Sequence, residues 1–151
     1  DRANDTFPLS QLQAAVLNPQ IDSLDDDNAI RSQNARHLIE RTSAIDGIDG
    51  LVFTSEQHPV FYKVAWLVPS CQQRAALLAL AQQYELPLFE GFRGFVKRSE
   101  RRCGKPVALN HSERAAEATV LLHHPMLLAD KHVFEECCEQ IVQLFHQVRA
   151  C

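Results

Sequence analysis

The densest apolar run in the chain is Val60–Val68, mostly β-branched and aromatic residues set between Pro59 and Pro69. A period of two places Val60, Tyr62, Val64, Trp66 and Val68 on one face, and Phe61, Ala65 and Leu67 on the other, with Lys63 the only charge. A strand apolar on both faces is expected at the centre of a sheet covered on both sides. Shorter strands are predicted at Leu51–Thr54, after the Asp46-Gly47 and Asp49-Gly50 turn signals, and at Leu86–Phe89.

Elsewhere the pattern is helical. Ser10 and Gln13 make a capping box, followed by a stripe of Leu12 and Val16 in line with Leu9. Pro19 is expected to interrupt this helix, because it lacks an N–H and crowds the preceding turn. The pattern resumes with Ile21 and Leu24. It passes the Asp25–Asp27 run, which suits the positive end of a helix dipole, and continues through Ile30, Ala35, Leu38 and Ile39. Ser70 and Gln73 open a second helix with Leu77, Leu80, Ala81 and Tyr84 on one stripe. Asn110 and Glu113 cap an Ala-rich helix read as Ser112–Leu122, stopping near His123-His124-Pro125. Asp130 caps the last helix, where Phe134, Cys138, Ile141, Phe145 and Val148 form the buried stripe and Glu135, Glu136 and Glu139 face water. The expected fold is α/β of the α+β kind: a small, mostly antiparallel sheet covered by helices, with a long broken N-terminal helix. Residues 1–41 read as linker and broken helix, and 42–151 as a small α/β unit.

Composition narrows the class without naming a function. The chain has 151 residues, 46% hydrophobic and 23% charged, as expected of one globular domain. A formal net charge of −4 offers no general attraction to nucleic acid or an anionic membrane. No apolar run approaches the ~18 residues of a membrane span, and Asp-Arg-Ala-Asn-Asp at the start is unlike a signal peptide. Position 1 is not Met, which fits a processed chain or a piece of a longer one. Five cysteines, an odd number without regular spacing, argue for a reducing, cytoplasmic setting over a disulfide framework. Cys137 and Cys138 lie near His123, His124 and His132, but adjacent cysteines lack zinc-ligand spacing, so no metal is expected.

Candidate chemistry is sparse. No phosphate-binding loop, dinucleotide fingerprint, nucleophile elbow or zinc-protease motif is present. His123 and His124 sit where a helix is expected to end, a position that favours histidine through the dipole. A Cys–His nucleophile pair needs a spatial contact that spacing does not show. The clearest anomaly is residues 91–106, which carry Arg93, Lys97, Arg98, Arg101, Arg102 and Lys105 against the single acid Glu100. Such a segment is either a solvated face or a holder of phosphate or diphosphate, whose oxygens arginine forks match.

Two separated stretches resemble the DegT/DnrJ-type sugar aminotransferases. Leu9-Ser-Gln-Leu-Gln-Ala-Ala-Val16, with Gln20-Ile21, Leu24-Asp25, Arg31 and Asn34-Ala35, resembles the helix that follows that family's large domain. Glu113-Arg-Ala-Ala-Glu117, then Leu121-Leu-His-His-Pro125, Val133 and Ile141-Val142, resembles its closing segment. Between them, His58–Val68 is similar to the family's His-x-Tyr strand, and Arg74–Gly91 to the helix and loop after it; the match runs colinearly from about residue 6 to 149.

The resemblance implies the C-terminal small domain of a fold-type-I enzyme that uses pyridoxal 5′-phosphate to aminate a keto-sugar, nucleotide-linked, or a related cyclic ketone. It implies an upstream cofactor-bearing large domain and a homodimer as partners. Gly91, Phe92 and Arg93 become the substrate-side loop, with Arg93, Lys97 or Arg98 meeting an anionic part of a nucleotide-sugar, and His58 a further candidate. The family's Schiff-base lysine lies upstream, and none of Lys63, Lys97, Lys105 and Lys131 stands in its motif. The segment alone is therefore expected to bind no cofactor and to be inactive. Thr6 and Pro8 stand where the family carries an Asn and an Arg for the cofactor phosphate; Thr6 still offers a hydroxyl. Those departures leave a second reading open, a non-catalytic binding or dimerisation module on the same scaffold.

Overall fold

The computed structural model describes residues 9–50, 52–54, 56–91, 104 and 107–149. Ser10 opens α1 (Gln11–Asp22) with a complete capping box: its hydroxyl accepts from Gln13 N–H at 3.2 Å, and its own N–H donates to Gln13 Oε1 at 2.9 Å. Pro19 does not interrupt α1. The break falls at Ser23, before α2 (Leu24–Ser43), which carries Asp25, Asp26 and Asp27 in its first turn. The N–H that Pro19 lacks would have met the carbonyl of Ala15, and Ala15 is exposed, so water can serve that oxygen and the helix runs on.

Ser70 Oγ accepts from Gln73 N–H at 3.1 Å and starts α3 (Cys71–Gln83). Two further helices flank a short one: α4 (Asn110–Ala118), α5 (His124–Leu127) and α6 (Lys131–Arg149). The α6 stripe is buried as its periodicity predicts, with Cys137 and Leu144 joining Phe134, Cys138, Ile141, Phe145 and Val148. Glu135 departs from expectation. It turns toward α2, where its Oε2 lies 3.3 Å from His37 Nε2 and 3.4 Å from Arg41 Nη1.

Four strands form one antiparallel sheet in the order β1 (Asp49–Gly50), β2 (Lys63–Leu67), β4 (Thr119–His123), β3 (Leu88–Glu90). Asp49-Gly50 is thus strand rather than turn, whereas Gly47 has the positive φ of 78° expected of the Asp46-Gly47 turn. Val52–Thr54 are not strand, and Val52 is 93% exposed. The largest correction is β4. The helix expected through Leu122 ends at Ala118, and Thr119–His123 pairs with β2 on one side and β3 on the other. Thr-Val-Leu-Leu-His is short, apolar and partly β-branched, and two ladders of backbone hydrogen bonds outweigh the helix preference of the alanines before it.

One sheet face holds the core. Val64, Trp66, Val68, Leu88, Val120 and Leu122 are buried with Leu38 of α2, Leu77 of α3, and Ile141 and Phe145 of α6. Trp66 joins three elements. Its ring meets Phe145 edge-on at 5.4 Å, and its Nε1–H donates to Thr42 Oγ1 at 3.0 Å, while the Thr42 hydroxyl donates to Leu38 O at 2.9 Å. On the other face Leu121 is buried, whereas Lys63, Ala65, Leu67, Thr119 and His123 are only half-buried. β2 is central as expected, and cover on the two faces is unequal. The ladder spans Lys63–Leu67 alone, and a bend before it inverts the alternation: Phe61 is buried against Phe53, whereas Val60 and Tyr62 are exposed.

Candidate functional site

Gly91 lies where β3 runs out beside the first residue of β4. Its N–H donates to Thr119 O at 3.0 Å, continuing the ladder by one residue. A Cβ on Gly91 would sit 2.4 Å from Thr119 Cβ and 3.3 Å from Thr119 O, so the position is held for glycine by lack of space, not by its backbone angles. Gly91→Ala must push β3 from β4, and we expect a loss of about 1–3 kcal/mol in denaturant unfolding. An unchanged midpoint would show that the two strands separate there at no cost. Phe92, Arg93, Lys97, Arg98 and Thr6 lie outside the described residues.

His58 is exposed and lines a cavity of about 360 Å³ with Asn28, Ser32, Arg36 and Val60. α2 pins the segment carrying it: Ser32 Oγ donates to Pro59 O at 3.0 Å and Arg36 Nη2 to Gln57 O at 3.3 Å. Gly91 abuts Thr119, at the start of β4, while the chain leaving His58 enters β2 beside His123, at its end. Four residue steps of strand, roughly 14 Å, lie between those ends. The fold does not bring His58 and Gly91 together.

A cavity of about 780 Å³ follows the same flank of α2, lined by Asn34, His37, Glu40, Lys131 and Glu135 among others. Asn34 Nδ2 donates to Leu127 O at 2.9 Å and anchors α5 to α2. The pairing of Glu135 with His37 and Arg41 was hidden from the sequence by a separation of more than 90 residues. With side chains near two-fifths exposed, that ion pair contributes at most about 1 kcal/mol.

The histidine pair is not at a helix end. His123 closes β4 and His124 opens α5, its ring stacked on Tyr62 at 4.7 Å. Among the described cysteines, Cys71 is exposed, and Cys137 and Cys138 are buried and free. Burial pushes the Cys137 thiol up to about 11; burial, reinforced by Cys137, pushes Cys138 to about 12. Neither is an ionised nucleophile at neutral pH. The folded chain keeps these protons after the unfolded chain has lost them. Stability is thus expected to hold below about pH 9 and to fall as pH rises from there toward 11 and 12. Melts across that range should show a shallower fall in a Cys137→Ala, Cys138→Ala double variant.

Among the described residues no three His, Cys, Asp or Glu side chains cluster to hold a metal, and no helix is long and apolar enough to cross a membrane. Lys63 lies over the Tyr62 ring at 5.7 Å, and Lys131 is an exposed residue opening α6.

No protein-family model matches the chain. Solved structures do. 3-Amino-5-hydroxybenzoic acid synthase superposes on 97% of this chain and 43% of its own, with a TM-score of 0.74 and 20% identity. The aminotransferase TlmJ from Streptoalloteichus hindustanus matches over 91% of this chain and 36% of its own, at TM-score 0.76 and 16% identity. A DegT/DnrJ/EryC1/StrS aminotransferase from Brucella abortus matches over 92% and 35%, at 0.73 and 17%. The fold is that of part of an aminotransferase. The chain spans less than half the length of each of these aminotransferase-fold neighbours, and identities this low speak for architecture alone.

Proposed function

We propose that this chain is the C-terminal small domain of a pyridoxal-phosphate-dependent aminotransferase that aminates a keto-sugar, nucleotide-linked, or a related cyclic ketone. The observation carrying this reading is the fold: nearly the whole chain superposes on a minor part of each neighbour. Helix α1 supports it. It buries no residue, and Leu12 and Val16, one turn apart on the same side, are 76% and 55% exposed, a pair suited to a covering surface such as the cofactor-bearing large domain. In this reading residues 1–41 link that domain to the 42–151 unit, the enzyme is a cytoplasmic homodimer, and the free thiols fit a reducing compartment.

Pyridoxal phosphate, held upstream, supplies the electron sink for amino transfer. This chain supplies the substrate wall. Gly91 seats the root of the basic segment against Thr119, and Arg93, with Lys97 or Arg98, holds the anionic part of the substrate. Arg93→Ala in the full-length enzyme is expected to raise KM for an anionic keto-sugar roughly tenfold with kcat little changed. Unchanged KM and kcat would remove Arg93 from the site. The second reading, a non-catalytic binding or dimerisation module, rests on Thr6 and Pro8 replacing the family's Asn and Arg. An upstream reading frame without the family's lysine motif would favour it.

A further inference from the structure

At the His123 end of the sheet a cavity of about 630 Å³ opens between β3, the end of β4 and α5. Pro87, Phe89, His123, Pro125, Met126 and Ala129 line it, all apolar except the imidazole, and its size is that of a small-molecule site. Phe89 stands edge-on to His123, ring centroids 5.0 Å apart at 82°, and remains 49% exposed. A large aromatic side chain thus stands partly open to the slot.

A cation is paired across the strands with the slot's histidine. Lys63 is the direct cross-strand partner of His123, so both side chains rise together from the half-buried sheet face. The Lys63 ammonium has no carboxylate partner among the described residues; its nearest aromatic neighbour is Tyr62, at 5.7 Å. Nδ1 of the adjacent His124 is buried without a hydrogen-bond partner among the described residues.

We propose that this slot binds a planar aromatic ring carrying an anionic group, the ring against Phe89 and Met126 and the anion toward Lys63 and His123. A flat ring gains stacking on Phe89 and a sulfur contact with Met126 that a saturated ring of equal size does not. An anion finds an ammonium that pairs with no carboxylate among the described residues, near low-dielectric walls where charge attraction is less screened. The anion is a carboxylate or a phosphate. The slot lies at the opposite end of β4 from Gly91, so the inference does not depend on the aminotransferase reading.

Met126 is the only methionine in the sequence, so a chain labelled with ¹³C-methyl methionine gives one resonance, located in the slot. Titration with 3-hydroxybenzoate tests the carboxylate and with phenyl phosphate the phosphate. Cyclohexanecarboxylate and 3-hydroxybenzyl alcohol report the ring and the charge separately. A saturable upfield shift with at least one aromatic anion is expected, with Kd weakened about five- to tenfold by Phe89→Ala or Lys63→Gln and restored by Lys63→Arg. No saturable shift with either aromatic anion overturns the proposal. So does equal binding of cyclohexanecarboxylate, or wild-type affinity in both weakened variants.

Discussion

Trp66→Ala is expected to cost about 3–5 kcal/mol, enough to leave a chain of this size largely unfolded at physiological temperature. The indole is 1% exposed and fills the space between the sheet, α2 and α6, so its removal opens a cavity no neighbour can close without moving an entire helix. Polarity adds to volume here. Thr42, 1% exposed, is a buried polar residue of the core, and its hydroxyl both accepts from the indole and donates to Leu38 O. Thr42→Val keeps the shape, removes the acceptor and leaves the indole N–H buried and unpaired, for a loss of about 1–3 kcal/mol. Urea unfolding followed by Trp66, the only tryptophan, reads the Thr42 variant; circular dichroism reads the other. A Trp66→Ala loss below about 1 kcal/mol would mean that the three layers are not held through this residue.

Leu12→Asp with Val16→Asp should give two opposite results in two contexts. In the chain alone both positions are exposed, α1 has no buried residue, and unfolding should shift by no more than about 0.5 kcal/mol. In the full-length aminotransferase proposed above, the same carboxylates would enter an apolar interface, each at a cost of several kcal/mol. Activity should fall at least about tenfold, with weakened association of the two domains. Full activity in the double variant would place α1 outside any contact on which the enzyme depends. A strong loss of stability in the isolated chain would instead mean that the stripe packs within it.

What the sequence determined by itself is the set of elements whose signals are local. Ser10 and Gln13 predict the start of α1, because a capping box closes within four residues; Ser70 does the same for α3. The α6 stripe runs long enough for a period of 3.6 to be unmistakable. The β4 strand was not legible in this way. Over five residues with three apolar at the centre a helical and an extended period look alike, and Thr119–His123 is a strand because β2 and β3, more than 20 residues away, supply a ladder on each side. The candidate sites divide likewise. Basic residues in 91–106 are visible as composition, but the reason Gly91 must be glycine is the side chain of Thr119, and Lys63 meets His123 only through pairing of β2 with β4. Sequence dictates what depends on neighbours along the chain; contacts made after folding decided which residues share a face, because that choice belongs to the register of the sheet.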